Sequence, residues 1–316
     1  MPDILVIKPS SLGDIVHGLQ VIQSLRDQMD GCRISWVVRD CFAPLLNKCG
    51  TVDEIIIYHR YGGWRKFLSL LREIREHEYD TVIDFQGLAR SGLMTFASRS
   101  KQKIGRTDAR EFTRLAYGKK APLPEGGKHS HAIEILLQFL PLLHCEPRLS
   151  SGLEFNKNKP SNIQHQILDE NTLLFFPESQ RSEKEWDKYP SLTEKILKES
   201  NDLSIIWCGV SRLESPTLTQ SERFYNLTGE TGIEELIYLI TNARLIVAND
   251  SGPIHLAAAL GVSVVAIFGP TQPERFGPYP LDDPQHHVIR APGGDLGGLD
   301  SKTVFQGIMD ALGQLL

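Results

Sequence analysis

Short apolar runs alternate with stretches of helical periodicity along the chain, and this alternation constrains the fold more than any other feature. Predicted strands span residues 3–8, 33–38, 53–58, 80–85, 172–176, 203–208, 244–248, 263–268 and 286–290. Predicted helices span residues 14–29, 64–77, 130–143, 188–199, 232–241, 252–260 and 301–315. Because the strands are β-branched and almost wholly apolar, they indicate parallel sheets with helices on both faces, an α/β fold.

A polar segment, residues 148–164, interrupts this rhythm with Ser, Asn, Lys and Pro and is typical of a linker. The 316 residues are enough for two substantial cores. We therefore predict two doubly wound, Rossmann-like domains, residues 1–155 and 156–316, facing across a cleft, with the C-terminal helix a candidate to pack back onto the first domain. Ligands of such sheets bind beyond the carboxyl ends of the strands, so the segments after strands are where chemistry is expected.

The composition is that of an ordinary soluble globular protein, with 41% hydrophobic and 23% charged residues. The sequence has no run of 18 apolar residues, and its N-terminus lacks the pattern of a signal peptide. Five cysteines with irregular spacing and no CxxC pair indicate reduced thiols rather than disulfides or zinc. We expect a cytoplasmic protein.

Charge is distributed unevenly between the two halves of the chain. Residues 1–150 carry 21 Lys and Arg against 17 Asp and Glu, whereas the remainder carries 13 against 22. Eight basic and two acidic residues fall within residues 99–120. This bias predicts an anionic partner for the first half, although a solvated basic face explains the count equally well. The acidic total, and the absence of a known binding module, disfavour nucleic acid.

The turn after the first strand reads Ser10-Ser11-Leu12-Gly13-Asp14. Asp14 lies three residues after Ser11, a spacing typical of a helix capping box, and an acid suits the first turn of a helix. The alternative is a general base that removes a proton from an attacking hydroxyl group. The turn lacks both the GxGxxG pattern of a dinucleotide site and the Gly-Lys-Ser/Thr of a P-loop.

A second candidate segment, Asn249 to His255, follows the strand at 244–248 and opens a helix. Ser251, Gly252 and the helix N-terminus offer N–H groups and a partial positive charge, which suit a diphosphate. A helix cap by Asp250 or Ser251 is the structural alternative, but it leaves the glycine turn 268–271 after the next strand unexplained. Two such turns side by side favour a nucleotide site.

Two further segments place polar groups after strands. In residues 176–186, Lys184 is predicted to reach phosphates as a mobile point charge, while the neighbouring charged residues are assigned to the surface. In residues 84–91, the polar groups include Gln86. Basic residues follow another strand at 59–66, and arginine forks suit carboxylate and phosphate groups.

Together these motifs resemble glycosyltransferase family 9, the ADP-heptose:lipopolysaccharide heptosyltransferases, nearly from end to end. The resemblance is carried by K-P-S-S-L-G-D-I-V-H, D-F-Q-G-L-A-R-S, K-x-W, and N-D-S-G-P-I-H-L-A-A-A-L-G with F-G-P-T. Within the family, the heptosyltransferase I type is most similar. The resemblance implies a GT-B fold, with the sugar nucleotide bound by the second domain and the acceptor by the first.

The resemblance also implies roles for individual residues. Asp14 would be the general base, and Lys184 would stabilise the diphosphate. The implied donor contacts are Ser179, Gln180, Lys184, Glu214, Asp250, Ser251, Gly252 and His255. The implied acceptor contacts are Ser11, Gly13, Arg60, Arg65, Lys66, Gln86 and Arg110. Gln180 departs from the family pattern, which has a hydroxyl residue there.

The function implied by the resemblance is inverting transfer of heptose from ADP-heptose to Kdo of the lipopolysaccharide inner core. It needs no metal and no cofactor beyond the donor substrate, and an anionic glycolipid acceptor, Kdo-lipid A, implies peripheral contact with the inner face of the cytoplasmic membrane. The alternatives are a family member with another acceptor (heptosyltransferase II-like), a sugar-nucleotide epimerase, and a non-catalytic nucleotide-sugar-binding protein. An NAD-dependent dehydrogenase is the weakest alternative, because the glycine fingerprint is missing.

Overall fold

The computed structural model describes residues 1–150, 152–156, 160, 168–215 and 221–314. The chain divides into two compact units, Met1–Asn156 and Lys157–Leu316. The first unit contains a parallel six-stranded sheet in the order β3-β2-β1-β4-β5-β6. Its strands are β1 (Asp3–Ile7), β2 (Arg33–Arg39), β3 (Glu54–Tyr58), β4 (Glu78–Asp84), β5 (Arg99–Arg106) and β6 (Lys119–Ala121). Its helices are α1 (Leu12–Gln28), α2 (Ala43–Lys48), α3 (Gly63–Glu76), α4 (Ala89–Ala97) and α5 (Ala132–Leu137).

The second unit repeats this topology with a parallel sheet in the order β12-β11-β10-β7-β8-β9. Its strands are β7 (Thr172–Phe176), β8 (Ser204–Trp207), β9 (Phe224–Asn226), β10 (Leu245–Asn249), β11 (Val264–Phe268) and β12 (His286–Arg290). Its helices are α6 (Tyr189–Glu199), α7 (Ile233–Asn242), α8 (Gly252–Ala259), α9 (Pro273–Phe276) and α10 (Ser301–Gly313). The last helix, α10, packs against α6 and β12.

The two central strands of each sheet lie side by side where the strand order reverses. In the first unit these are β1 and β4, and in the second β7 and β10. Strands β7 and β10 are buried along their whole length, as their apolar sequences predict. In doubly wound sheets the crevice beyond such a reversal is the usual ligand site. The segments that follow these four strands contain the predicted site residues Asp14, Gln86, Lys184 and Asp250.

All nine predicted strands are present with small boundary shifts, but β5, β6 and β9 were not predicted. Strand β5, with the sequence RSKQKIGR, has four basic residues and only two fully buried positions, so it lacks an apolar pattern. The basic segment 99–120 lies only partly beyond strand ends, because it contains β5 and most of β6. Arg99 and Lys101 lie near the start of β5, at the opposite edge of the sheet, and pair with Glu78 and Asp80.

Some helices also differ from the prediction. The short helices α2, α4 and α9 were not predicted. The helix predicted over 130–143 is instead α5 followed by a 3-10 turn, Leu140–Leu143, with Pro141 at its start. The predicted end of the last helix, at residue 315, and most of the predicted linker lie outside the described residues.

Within the described ranges, no helix is both long enough and apolar enough to cross a bilayer. All five cysteines are free thiols; Cys32, Cys49 and Cys208 are buried, and Cys41 is exposed.

A buried carboxylate, Asp84, fixes the end of the central strand β4. It accepts hydrogen bonds from the backbone N–H of Gln86 and Gly87 and from the hydroxyl of Tyr117 at 2.8 Å. Burial raises the pKa of Asp84 although these hydrogen bonds favour its charged form. The ring of Tyr117 lies against Gly105 of β5, where a Cβ atom would collide with it.

We expect Gly105→Ala to destabilise the first unit by about 1–3 kcal/mol, because the added methyl group must displace Tyr117 from Asp84. Denaturant titration measures this loss, and hydrogen exchange of the β4 and β5 amides localises it. The control is Gly118→Ala, whose added Cβ would have its nearest neighbour at 3.7 Å. Equal stability of the two variants would contradict the packing described for Tyr117.

Candidate active site

The turn after β1 forms an ion pair between two residues of the same segment. Lys8 Nζ lies 3.4 Å from Asp14 Oδ1, and the Lys8 side chain is only 5% exposed. Trp36 holds the Lys8 backbone by donating its indole N–H to the Lys8 carbonyl at 3.1 Å. A buried lysine needs a nearby anion, and Asp14 supplies it.

Ser11 contributes two further hydrogen bonds to the same carboxylate. Its backbone N–H and its hydroxyl group donate to Asp14 Oδ2 at 3.0 and 2.9 Å. Asp14 therefore does stabilise the start of α1, as the capping interpretation predicts. Gly13 is buried in the first turn of that helix.

The charge state of Asp14 follows from these contacts. Burial opposes its ionisation, but the Lys8 ammonium and the Ser11 hydrogen bonds outweigh burial and hold the pKa of Asp14 below its usual value. The side chain is nevertheless 45% exposed. A carboxylate has about four acceptor positions, and the contacts with Ser11 and Lys8 leave room on Oδ1. Asp14 can thus both cap the helix and accept a proton from a ligand.

Gln86 follows β4, which pairs directly with β1. Its side-chain oxygen, Oε1, is buried and has no hydrogen-bond partner in the part of the chain that the structure describes. An unpaired buried acceptor is costly unless a ligand or water satisfies it. The Gln86 amide oxygen is therefore available to accept a hydrogen bond at the sheet edge that carries Asp14.

The four predicted basic contacts lie on either side of Asp14 along the same sheet edge. Arg60, Arg65 and Lys66 follow β3, and Arg110 follows β5. Both of these strands are two positions from β1, or about 10 Å away at the usual strand spacing. All four side chains belong to exposed residues. These residues give the edge four exposed positive charges, alongside the exposed acids Asp40 and Glu111.

The corresponding edge of the second unit contains a second ion pair, formed between residues 66 positions apart in sequence. Lys184 Nζ lies 2.6 Å from Asp250 Oδ2, with exposed fractions of 16% and 6% for the two side chains. The hydroxyl group of Thr271 donates to the same oxygen at 2.6 Å. The segments after β7, β10 and β11 thus meet at one carboxylate.

Asn249, the last residue of β10, fixes the two segments in place. Its side-chain N–H donates to the Pro177 carbonyl at 2.7 Å, and its side-chain oxygen accepts from the backbone N–H of Trp186 at 3.3 Å. Ser251 is the N-cap of α8, which begins at Gly252. Helix α8 has eight residues and contains the buried His255. Ser251 and Gly252 therefore stand next to the ion pair at a helix N-terminus, where anions are favoured.

The remaining predicted donor contacts, Ser179, Gln180 and Glu214, lie outside the Lys184–Asp250–Thr271 cluster. The Ser179 N–H donates to Glu185 Oε1 at 2.8 Å, and Gln180 is exposed. Glu214 is exposed on the segment after β8. A different acid, Glu178, is bonded to this segment, because it accepts from the N–H groups of Val210 at 2.6 Å and Ser211 at 3.0 Å.

Three residues at these edges were missing from the predicted site. Lys8 could have been found as the lysine directly after an apolar strand and within the motif that contains Asp14. Thr271 belongs to the F-G-P-T turn, which the prediction used only as a glycine turn. Glu178 has no signal in the sequence, since its role depends on the path of the segment after β8.

Among the described residues, no group of three or more His, Cys, Asp and Glu side chains is placed to hold a metal ion.

The model of a protein family described as glycosyltransferase family 9 (heptosyltransferase) matches residues 67–292. The chain belongs to glycosyltransferase family 9. This confirms the resemblance seen in the motifs, and the protein is a glycosyltransferase.

Named relatives agree with this assignment. Lipopolysaccharide heptosyltransferase 1 of Escherichia coli K12 is 24% identical over 321 residues, covering 96% of this chain and 98% of the relative. Lipopolysaccharide heptosyltransferase 2 of the same strain is 26% identical over 298 residues, covering 86% and 84%. The structure of E. coli heptosyltransferase WaaC with ADP superposes with a TM-score of 0.81 at 22% identity, covering 98% of this chain and 99% of that one. The predicted GT-B fold of two Rossmann-like units is confirmed.

Replacing Lys8 tests the electrostatics of Asp14. We expect Lys8→Met to raise the pKa of Asp14, because the nearest opposite charge is removed. Carbon-detected NMR titration of the Asp14 carboxyl group, assigned with Asp14→Asn, measures the shift. Lys101→Met, which removes a surface lysine paired with Asp80, should leave this pKa unchanged.

The same interaction has a consequence for stability. Because the pKa of Asp14 in the fold lies below the unfolded value of about 3.9, its ionised form stabilises the fold above that pH. The stabilisation is lost as the pH falls through the folded pKa, so the free energy of unfolding of the wild type should fall relative to that of Lys8→Met in acid. A wild-type pKa at or above the ordinary value would contradict the assigned role of Lys8.

Proposed function

We propose that this protein transfers heptose from ADP-heptose to a Kdo residue of the lipopolysaccharide inner core, with inversion at the anomeric carbon. Asp14 takes the proton of the attacking Kdo hydroxyl group, whose oxygen forms the new bond to the anomeric carbon. The bond to the diphosphate breaks, and ADP leaves with the electron pair. The observation that carries this proposal is the partly exposed Asp14 carboxylate, ionised by a buried lysine.

The protonation state of Asp14 supports its assignment as general base. A base must be unprotonated when substrate binds, and the low pKa keeps Asp14 ionised at any physiological pH. Lys8 also stabilises the turn that carries the carboxylate, so that the base is held in position before the acceptor arrives.

Lys184 suits the departing diphosphate because it is a largely buried cation beside a helix N-terminus. Its charge is balanced by Asp250. We propose that Asp250, which also accepts a hydrogen bond from Thr271, orients the Lys184 ammonium group toward the diphosphate. Further pyrophosphate contacts are proposed for Ser251, Gly252 and His255. Ser179, Gln180 and Glu214 are proposed contacts to the rest of the nucleotide.

The first unit suits an anionic acceptor. Arg60, Arg65, Lys66 and Arg110 supply positive charge on both sides of Asp14, and Kdo and lipid A phosphates supply negative charge. The buried Gln86 Oε1 atom, which has no partner among the described residues, can accept a hydrogen bond from a sugar hydroxyl group. Ser11 and Gly13 are proposed to line the same turn against the acceptor.

The proposal requires no metal ion or cofactor, because Lys184 and backbone N–H groups supply the charge stabilisation that the leaving group needs. A lipid-linked acceptor also implies that the protein works in the cytoplasm, in peripheral contact with the inner face of the cytoplasmic membrane.

The main alternative is transfer of the same sugar to a different acceptor. The similarity to a heptosyltransferase 2 covers most of the chain, and donor segments carry little information about acceptors. A non-catalytic nucleotide-sugar-binding protein and an epimerase are separated from the proposal by one assay. Purified protein is incubated with ADP- and UDP-sugars, with and without Kdo-lipid A, and the lipid and nucleotide products are analysed by mass spectrometry.

We expect Asp14→Asn to lower kcat by about two orders of magnitude or more, because asparagine cannot take the proton. The affinity for ADP should be unchanged, since the proposed nucleotide contacts lie in the second unit. Steady-state assay with ADP-heptose and Kdo-lipid A measures kcat, and calorimetry measures ADP binding. Normal turnover by this variant would overturn the assignment of Asp14.

We expect Lys184→Gln to lower both the affinity for ADP and kcat, each by about tenfold or more, because it removes the cation beside the diphosphate. Lys198→Gln is the matched control, since Lys198 lies on the exposed surface of α6. The measurement is the same pair of assays. Unchanged ADP binding by Lys184→Gln would show that the diphosphate is held elsewhere.

A further inference from the structure

Exposed apolar side chains are concentrated in one part of the first unit. Of the twelve large apolar residues that are exposed among the described residues, eight lie between Tyr61 and Leu115. These eight, which we call the apolar patch, are Tyr61, Trp64, Leu68, Leu88, Leu93, Phe96, Phe112 and Leu115. Isolated exposed apolar residues are ordinary, but a group of this size on neighbouring elements indicates a binding surface.

The elements that carry the apolar patch pack against one another. Helix α4 contacts both α3 and the 3-10 turn Thr113–Ala116. The guanidinium of Arg75 on α3 donates to the Ala97 carbonyl at the end of α4, at 3.4 Å. Gly92 of α4 lies so close to Thr113 that an added Cβ would approach it within 2.6 Å. Leu93 and Phe96 therefore occupy the exposed face of the element that joins the other two.

Cationic side chains accompany the apolar patch. The Arg65 guanidinium lies 5.7 Å from the Trp64 ring centroid, and Lys103 Nζ lies 5.9 Å from that of Phe96. Residues 55–72 contain four Lys and Arg and no Asp or Glu, and residues 85–116 contain seven Lys and Arg against two Asp and Glu. Two of those seven, Arg99 and Lys101, are paired with Glu78 and Asp80 away from the apolar patch. Aromatic and aliphatic side chains flanked by Arg and Lys are typical of surfaces that enter the headgroup region of an anionic bilayer.

The position of the apolar patch links it to the active site. Helix α4 begins five residues after β4 ends, and the 3-10 turn follows β5, so the N-terminus of α4 and the 3-10 turn lie at the sheet edge that carries Asp14. From there α4 runs back toward the start of β5. We propose that the apolar patch docks onto the surface of an anionic lipid bilayer and so presents Asp14 to acceptors anchored there. This inference rests on the proposed function, because it assumes a lipid-linked acceptor.

The test is binding of the full chain to vesicles of phosphatidylglycerol and phosphatidylethanolamine, compared with vesicles of phosphatidylcholine. We expect tighter binding to the anionic vesicles, weakened by salt. The triple variant Leu93→Ser, Phe96→Ser, Leu115→Ser should bind them at least about tenfold more weakly, because it removes inserted apolar area. These side chains are 51%, 72% and 86% exposed, so we expect the fold to survive, which thermal melting checks.

The control variant, Leu281→Ser with Val288→Ser, removes exposed apolar residues from the second unit and should bind like wild type. Transfer to a deacylated, water-soluble Kdo acceptor should be unchanged in the triple variant. Absence of transfer by wild type would overturn the proposed function, whereas transfer without vesicle binding would overturn only the docking. Vesicle binding unaffected by the triple variant would overturn the docking too, as would a wild-type dimer that the variant dissociates.

Discussion

Parallel pairing of every strand brings six carboxyl ends to one edge of each sheet, and the candidate site depends on this convergence. Residues distant in sequence meet there because the strand order places their segments side by side. In the second unit, Lys184 follows β7, Asp250 follows β10 and Thr271 follows β11, and all three meet at Asp250 Oδ2. In the first unit, Gln86 and Asp14 follow the paired strands β4 and β1.

The two edges use ion pairs of different character. Asp14 is the exposed partner of a buried lysine, so its carboxylate is ionised and accessible to a ligand. In the second unit both partners are largely buried, and Lys184 is held by an acid that a diphosphate could replace as its counter-charge. One edge therefore suits proton removal and the other suits stabilisation of a leaving anion, which together are what inverting transfer from a nucleotide sugar requires.

The sequence was informative wherever periodicity or turn chemistry was local. The apolar strands, the GT-B architecture and the segments containing Asp14, Lys184 and Asp250 could all be read from it. Strand β5 was hidden because charged residues alternate with short polar ones at its exposed start. Lys8 was overlooked although it belongs to the same local motif as Asp14. The contacts of Thr271 and Glu178 were beyond prediction, since each depends on how neighbouring segments meet after folding.

We propose that the second unit holds the nucleotide and the first unit holds the proton acceptor. Titration of isotope-labelled protein with ADP, followed by backbone amide NMR, tests it most directly. We expect chemical-shift changes at Ser179, Lys184 and Ser251–Gly252, with the amides of Ser11 and Asp14 unaffected. Changes confined to the turn after β1, with none in the second unit, would contradict it.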